Sequence, residues 1–221
     1  MKSNHLDFLN HIKSFIPSQR IYTDYLRRLA WGTDAGFYRL VPQIVVRAKN
    51  EGEMVRIVEA AAQCGVPLTF RAAGTSLSGQ SVSDSVLVVA GKNWENYEVL
   101  DEGRRIRLQP GVIGAKVSEV LKPYGYRLSP DPASVKSAMV GGIVMNNASG
   151  MCCGTHANSY RALKSVRIIL PDGTLLDTGD EKSRAAFMMS HQAFIRKIEE
   201  LRDKTRKNAS LMERIRRKYS I

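Results

Sequence analysis

The chain has 221 residues, 43% of them apolar, which suffices to bury one substantial core or two small ones and excludes a disordered chain. No apolar run approaches the roughly 18 residues of a membrane-spanning helix, and the N-terminal MKSNHLDFLNHIKSFI alternates polar and apolar residues where a signal peptide would be unbroken, so a cytoplasmic protein is expected. The net charge of +12 is concentrated after Glu181, with 12 Lys and Arg against 4 Asp and Glu; without interleaved aromatics it reads as solvated helix faces rather than a nucleic-acid groove.

In chain order, LDFLNHIKSFI places Leu6, Leu9, Ile12 and Phe15 or Ile16 on one helical face. QIVVRA is a β-branched strand. NEGE offers Asn50 as N-cap, with Glu53 three places on, for a helix EMVRIVEAAAQCG that Gly65 closes. VPLTFR follows as the second strand of a βαβ unit. SVLVVA, YEVL and RIRLQP continue as strands, the last two joined by a turn at Asp101–Glu102–Gly103. IGAKVSEVLKPYG is a helix ending at Pro123–Gly125. LKSVRIILPDGTLLDTGD is a hairpin around Asp172–Gly173. Phe187, Phe194, Ile198, Leu201, Leu211 and Ile215 then fall near helical spacing, as in two amphipathic helices broken near Asn208–Ser210. The expected class is α+β: a small βαβ subdomain, a larger mixed or antiparallel sheet with flanking helices, and a C-terminal helical extension. The expected division is an N-terminal helix at 1–20, a central domain at 21–180 and a basic helical segment at 181–221.

Two tracts do not read as packed structure. FRAAGTSLSGQS follows a strand and is dominated by small residues, so its backbone N–H groups are free to form a concave anion site, with hydroxyls from Thr75, Ser76 and Ser78. Gly74 and Gly79 have the interval of a P-loop, but Gln80 stands where its lysine should be, which favours a held cofactor over a nucleotide to be cleaved. The second tract, SPDPASVKSAMVGGIVMNNASGMCCGTH, carries Gly141, Gly142, Gly150 and Gly154. Two such tracts suit an elongated ligand, such as a dinucleotide, lying along backbone in both. Three cysteines, Cys64, Cys152 and Cys153, form neither a disulfide framework nor a CxxC pair and are expected as reduced thiols.

RAAGTSLSGQ, PDPAS, GGIVMNNASG and SVRIILPDG, in that order, resemble the FAD-binding (PCMH-type) domain of the vanillyl-alcohol oxidase and p-cresol methylhydroxylase flavoprotein superfamily. The likeness covers roughly Tyr22 to Asp180 and is greatest to the D-lactate, glycolate and D-2-hydroxyglutarate dehydrogenase branch. NNASGMCCGTHANSYRALKSV is most similar to a subgroup fused to an iron–sulfur domain. The resemblance implies a two-subdomain FAD-binding fold. It implies that Arg71, Ala72, Ala73, Gly74, Thr75, Ser76, Leu77, Ser78, Gly79 and Gln80 wrap the FAD pyrophosphate. Pro130, Met139, Gly141, Gly142, Asn147, Ser149, Gly150, Cys153 and Gly154 would line the path from adenosine to flavin, and Ile168 would add backbone contacts.

The activity implied is oxidation of a small D-2-hydroxy acid to the 2-oxo acid, with electrons leaving to an acceptor such as an iron–sulfur domain. Cluster ligation by Cys152 and Cys153 is not expected, since four thiolates are normally needed and two of the three here are adjacent. In relatives that tether FAD through this loop the segment resembles Arg-x-Gly-Gly-His; Thr75 falls on the histidine position, so non-covalent FAD is expected. The substrate-binding half of such enzymes has no counterpart before RRKYSI, which implies an N-terminal part without catalytic residues. No such role is therefore assigned to His5, His11, His156 or His191. The alternative from another class is a basic nucleic-acid-binding or scaffolding module in which the glycine tracts are plain loops.

Overall fold

A computed structural model describes residues 2–154 and 156–219. Its first element is helix α1, Ser3–Lys13, followed by β1, Ile21–Tyr22, and α2, Tyr25–Ala30. Strand β2, Ile44–Arg47, helix α3, Glu51–Cys64, strand β3, Leu68–Arg71, and strand β4, Val86–Val89, complete the principal sheet, whose order is β1-β2-β4-β3. β2 and β3 both pair in parallel with β4, and β1 pairs antiparallel with β2. The β2-α3-β3 unit expected from the sequence therefore exists with β4 inserted between its strands.

The period of two explains the two faces of this sheet. Ile44, Val46, Val86 and Val88 face α1 and α3, joining Phe8, Leu9, Ile12, Met54, Ile57, Ala60 and Ala61 in one core. Val45, Leu87 and Val89 face the other way, against Tyr22 and Trp31. Helix α3 begins where Asn50 Oδ1 accepts the Glu53 N–H at 2.9 Å and stops at Gly65, which takes φ +61°. The Glu53 carboxylate accepts from the Lys49 N–H at 2.8 Å, one residue before the N-cap, because it is also gripped by both Arg20 Nη atoms at 2.6 and 2.7 Å. That pair holds Glu53 below the usual carboxylate range.

The α1 stripe differs from its expected position by one residue. Leu6 is exposed, and His5 takes the inward place, with Nε2 hydrogen-bonded to Ser85 Oγ at 2.9 Å and Nδ1 facing Asn4 Oδ1 at 3.0 Å. Burial, with the nearby Lys2 charge, pushes its pKa below 6.5, while Asp84 opposes the shift.

Strands β5, Tyr97–Leu100, and β6, Arg105–Leu108, form the expected antiparallel hairpin, and Asp101, Glu102 and Gly103 turn it with φ of +47°, +53° and +85°. Helix α4, Gly114–Leu121, packs Val117 and Leu121 against Val99, Ile106 and Leu108 of that hairpin. The Trp94 indole N–H donates to Ala48 O at 2.9 Å and roots this layer in the main core. Short helices α5, Val140–Met145, and α6, Ser159–Ala162, follow, then a hairpin of β7, Arg167–Ile169, and β8, Leu175–Asp177, with Gly173 at φ +84°.

The chain divides into two compact units: one runs to Lys164 and takes in Ile169–Thr174, the other holds Ser165–Ile168 and everything from Leu175. In the second unit lie α7, Glu181–Ser190, α8, Gln192–Lys207, and α9, Ala209–Lys218, three helices where the apolar spacing suggested two. The extra break is at His191, whose ring stacks on Phe187 at 4.3 Å between centroids; Asn208 caps α9 through the Leu211 N–H. Among the described residues no helix is long and apolar enough to cross a membrane.

Ile57 is fully buried between α3 and the sheet, so Ile57→Ala should lower unfolding free energy by about 2–5 kcal/mol, read by urea denaturation. His5 contributes stability as the neutral ring: the contribution is complete above pH 6.5 and is lost as pH falls through its depressed folded pKa. The advantage in melting temperature of the natural chain over His5→Gln should therefore be largest at neutral pH and shrink towards acid; a gap that widens below neutrality would contradict the buried neutral histidine.

Candidate functional site

Past Arg71 the main chain runs through Ala72, Ala73, Gly74, Thr75, Ser76, Leu77, Ser78, Gly79 and Gln80 with neither helix nor strand. Gly74 and Gly79 both stand at φ +72°, the left-handed region that a Cβ disfavours. Among the described residues, the one backbone N–H of this loop that meets an acceptor is that of Ser78, which donates to Ser76 Oγ at 3.1 Å. A run of open amides around two left-handed turns gathers partial positive charge, as phosphate oxygens require. Arg71 lies under the loop, its Nη1 donating to Thr33 O at 2.6 Å, and a Cβ on Gly74 would overlap its guanidinium.

The second tract is shaped by close backbone approaches. Pro130 is buried, and Gly150 lies so near Asp131 that a Cβ would overlap both its carbonyl and its carboxylate. Met139 is the residue before α5, where the Gly141 N–H donates to Pro110 O at 2.9 Å; a Cβ on Gly141 would stand 2.6 Å from Pro110 Cβ. Gly142 faces open space. Asn147 takes φ +45° and accepts the Tyr160 N–H on Oδ1 at 3.0 Å, and Ser149 is exposed. Cys153 is buried, its Sγ accepting the Gly150 N–H at 3.0 Å and lying 3.2 Å from Gly154 O. This thiol therefore braces its own turn, next to Gly154 at φ +53°. Cys152 is exposed; the Asp131 carboxylate beside it raises the thiol pKa and is itself held below the usual range by that thiol.

The two tracts meet. Gln80 Nε2 donates to Asn146 Oδ1 at 3.1 Å, and Gln80 Oε1 accepts from Ser76 Oγ at 2.7 Å, so one amide joins both segments across 66 residues of sequence. Asn146 was not singled out from the sequence; its only signal was the paired asparagine in NNASG. Ile168 belongs to the other unit. His11, His156 and His191 are not buried, and among the described residues no group of three or more His, Cys, Asp or Glu is placed to hold a metal.

These residues fit a dinucleotide on two counts. The first loop offers open donors for a pyrophosphate, and in the second tract Gly142 faces open space where a ligand can come close to the backbone. Comparison with known proteins agrees. The profile of the FAD binding domain matches residues 42–179. The D-2-hydroxyglutarate dehydrogenase of Haemophilus influenzae is 28% identical over 177 residues, 78% of this chain and 17% of that protein. Glycolate oxidase subunit GlcD of Escherichia coli is 32% identical over 146 residues, 65% of this chain and 29% of that protein. Among solved structures, 4-ethylphenol oxidase from Gulosibacter chungangensis superposes with a TM-score of 0.67 at 19% identity, covering 82% of this chain and 37% of that one. The chain thus spans less than a third of the two curated relatives, and its fold is the α+β, PCMH-type fold expected from the sequence. With residues 42–179 matched, the chain belongs to the FAD binding domain family, and FAD is its cofactor.

Proposed function

We propose that this chain is the FAD-holding part of a flavin-dependent dehydrogenase that oxidises a small D-2-hydroxy acid, of the D-lactate kind, to the 2-oxo acid. The observation that carries the reading is the Gln80–Asn146 hydrogen bond, which closes two glycine-rich tracts around one place where backbone donors are open. The substrate class rests on the two curated relatives, whose names specify a 2-hydroxyglutarate dehydrogenase and a glycolate oxidase. FAD, when bound, supplies a two-electron acceptor for oxidation of the hydroxyl-bearing carbon.

The residues of the chain do the holding. Open amides between Ala72 and Gln80 carry the charge of the pyrophosphate, and the Ser76–Gln80–Asn146 relay keeps them aligned. Gly142, with nothing within 4 Å of a Cβ position, leaves room for a close approach to α5. We infer further that the electrons pass on to a separate redox centre, an iron–sulfur domain in the subgroup that this sequence resembles.

Gly74→Asp places a Cβ against the Arg71 guanidinium at φ +72° and a carboxylate beside the phosphate loop. FAD affinity, read by titration of flavin fluorescence, should fall by more than about tenfold, ~1.4 kcal/mol. Equal affinity of variant and parent would remove the phosphate role from Ala72–Gln80. Attachment is tested separately. Thr75 offers only a protonated hydroxyl, a far poorer nucleophile than imidazole near neutral pH, so FAD is held without a covalent bond. Acid denaturation of the FAD-loaded chain should release all of the flavin, and a flavin mass adduct on the denatured chain would refute non-covalent binding.

A further inference from the structure

The segment from Trp31 to Tyr38 precedes the family match, which begins at residue 42, yet it is packed along the phosphate loop. The Ala35 N–H donates to Gly74 O at 3.1 Å, and Ser81 Oγ reaches Asp34 Oδ2 at 3.5 Å. A Cβ on Gly36 would stand 2.8 Å from Leu77 O, and one on Gly79 would stand 3.2 Å from the Tyr38 ring. The segment is closed on itself: Thr33 bridges to Arg39, and the Leu40 N–H donates to Gly32 O at 3.0 Å.

Arg71 pins it to the loop. Its Nη1 donates to Thr33 O at 2.6 Å and, more weakly, to Trp31 O at 3.3 Å and Ser81 O at 3.5 Å, while the guanidinium lies 5.2 Å from the centre of the Trp31 ring. One cation thus grips carbonyls on the segment and just past the far end of the loop. Its Nε is buried and meets no acceptor, and among the described residues no carboxylate forms an ion pair with it; Asp34 acts on it only at longer range. A desolvated cation without a counterion gains from an anion bound nearby. A loop with almost no side chains of its own to pack also needs an outside support to hold a phosphate-ready shape.

We propose that Trp31–Tyr38, pinned by Arg71, is a third wall of the FAD site: it fixes the phosphate loop and sets positive charge beneath it for the pyrophosphate. Arg71 is then a positioning residue, and the proposal rests on the FAD-holding reading above. Two readouts on the full 221-residue chain test it: FAD titration, and hydrogen exchange of the Ala35 amide without flavin. Arg71→Met should weaken FAD binding by about tenfold or more and speed Ala35 exchange, while Arg71→Lys, which keeps the charge, should stay within about threefold of the parent. Gly36→Ala changes no residue of Arg71 or the loop and drives the segment and Leu77 apart; it should weaken FAD by about threefold or more and also speed Ala35 exchange. If Arg71→Met does not fold, Gly36→Ala decides alone. Unchanged FAD affinity in the folded variants, or equal losses in Arg71→Met and Arg71→Lys, would overturn the wall's role in binding. Unchanged Ala35 exchange would overturn the clamp itself. A parent chain that binds no FAD while Ala35 exchange responds as expected would instead defeat the functional reading.

Discussion

Strand β4 is buried at all four positions and is hydrogen-bonded in parallel on both sides, which fixes where its neighbours end. Arg47 and Arg71 both stand opposite Val89 across it, so the chain leaves β3 at the same level as it leaves β2. Because α1 and α3 cover one face of the sheet, Val45, Leu87 and Val89 on the other must find different cover, and Tyr22 and Trp31 supply it. That places the Trp31 ring beside the end of β3, where the Arg71 guanidinium lies near it. The hold that Arg71 has on the Trp31 segment thus depends on a hydrophobic requirement of the strands beside β3.

The proposed FAD site is built mainly of main chain. Its donors are amides, its close approaches need Gly74, Gly141 and Gly150, and buried Cys153 spends its sulfur on a turn rather than on a ligand. Such a surface stays fixed only if each bend is supported from behind. The supports differ along it: Arg71 under the first loop, Pro110 against Gly141, Asp131 against Gly150, and the Asn147 side chain on the Tyr160 N–H. Each support relies on side chains remote from the bend, or on a contact that a single extra methyl group would break.

What was legible in the sequence was local. The Asn50 cap, the Gly65 stop, the turn at Asp101–Gly103 and the Asp172–Gly173 hairpin each depend on a few adjacent residues, and each forms as read. The two glycine tracts were legible as tracts because small residues and prolines leave no periodic apolar face. Their junction was not, since Gln80 and Asn146 are ordinary polar residues until 66 positions of chain are folded away. Periodicity also misplaced the inner face of α1, where Leu6 fits the apolar stripe but His5 is buried; its hydrogen bond to Ser85, 80 residues on, has no trace in helical spacing. Trp31 and Arg71 were likewise invisible as a pair, because nothing in either neighbourhood specifies the other.

On the proposed reading, Gln80 makes this loop hold its ligand differently from a P-loop of the same glycine interval. A lysine at that position would bring a mobile point charge with three donors and no acceptor. Glutamine brings both: Oε1 accepts a hydrogen bond from the Ser76 hydroxyl while Nε2 donates to Asn146, so one planar group fixes the loop's middle and ties it to the second tract. A lysine could make the second bond but not the first, and Ser76, which also accepts the Ser78 N–H, would lose the acceptor that orients it. The positive charge a phosphate needs is then left to open amides and to a guanidinium fixed below the backbone, neither of which can follow a departing phosphoryl group. An anion site assembled in this way suits a pyrophosphate that stays in place while the chemistry happens elsewhere on the same cofactor.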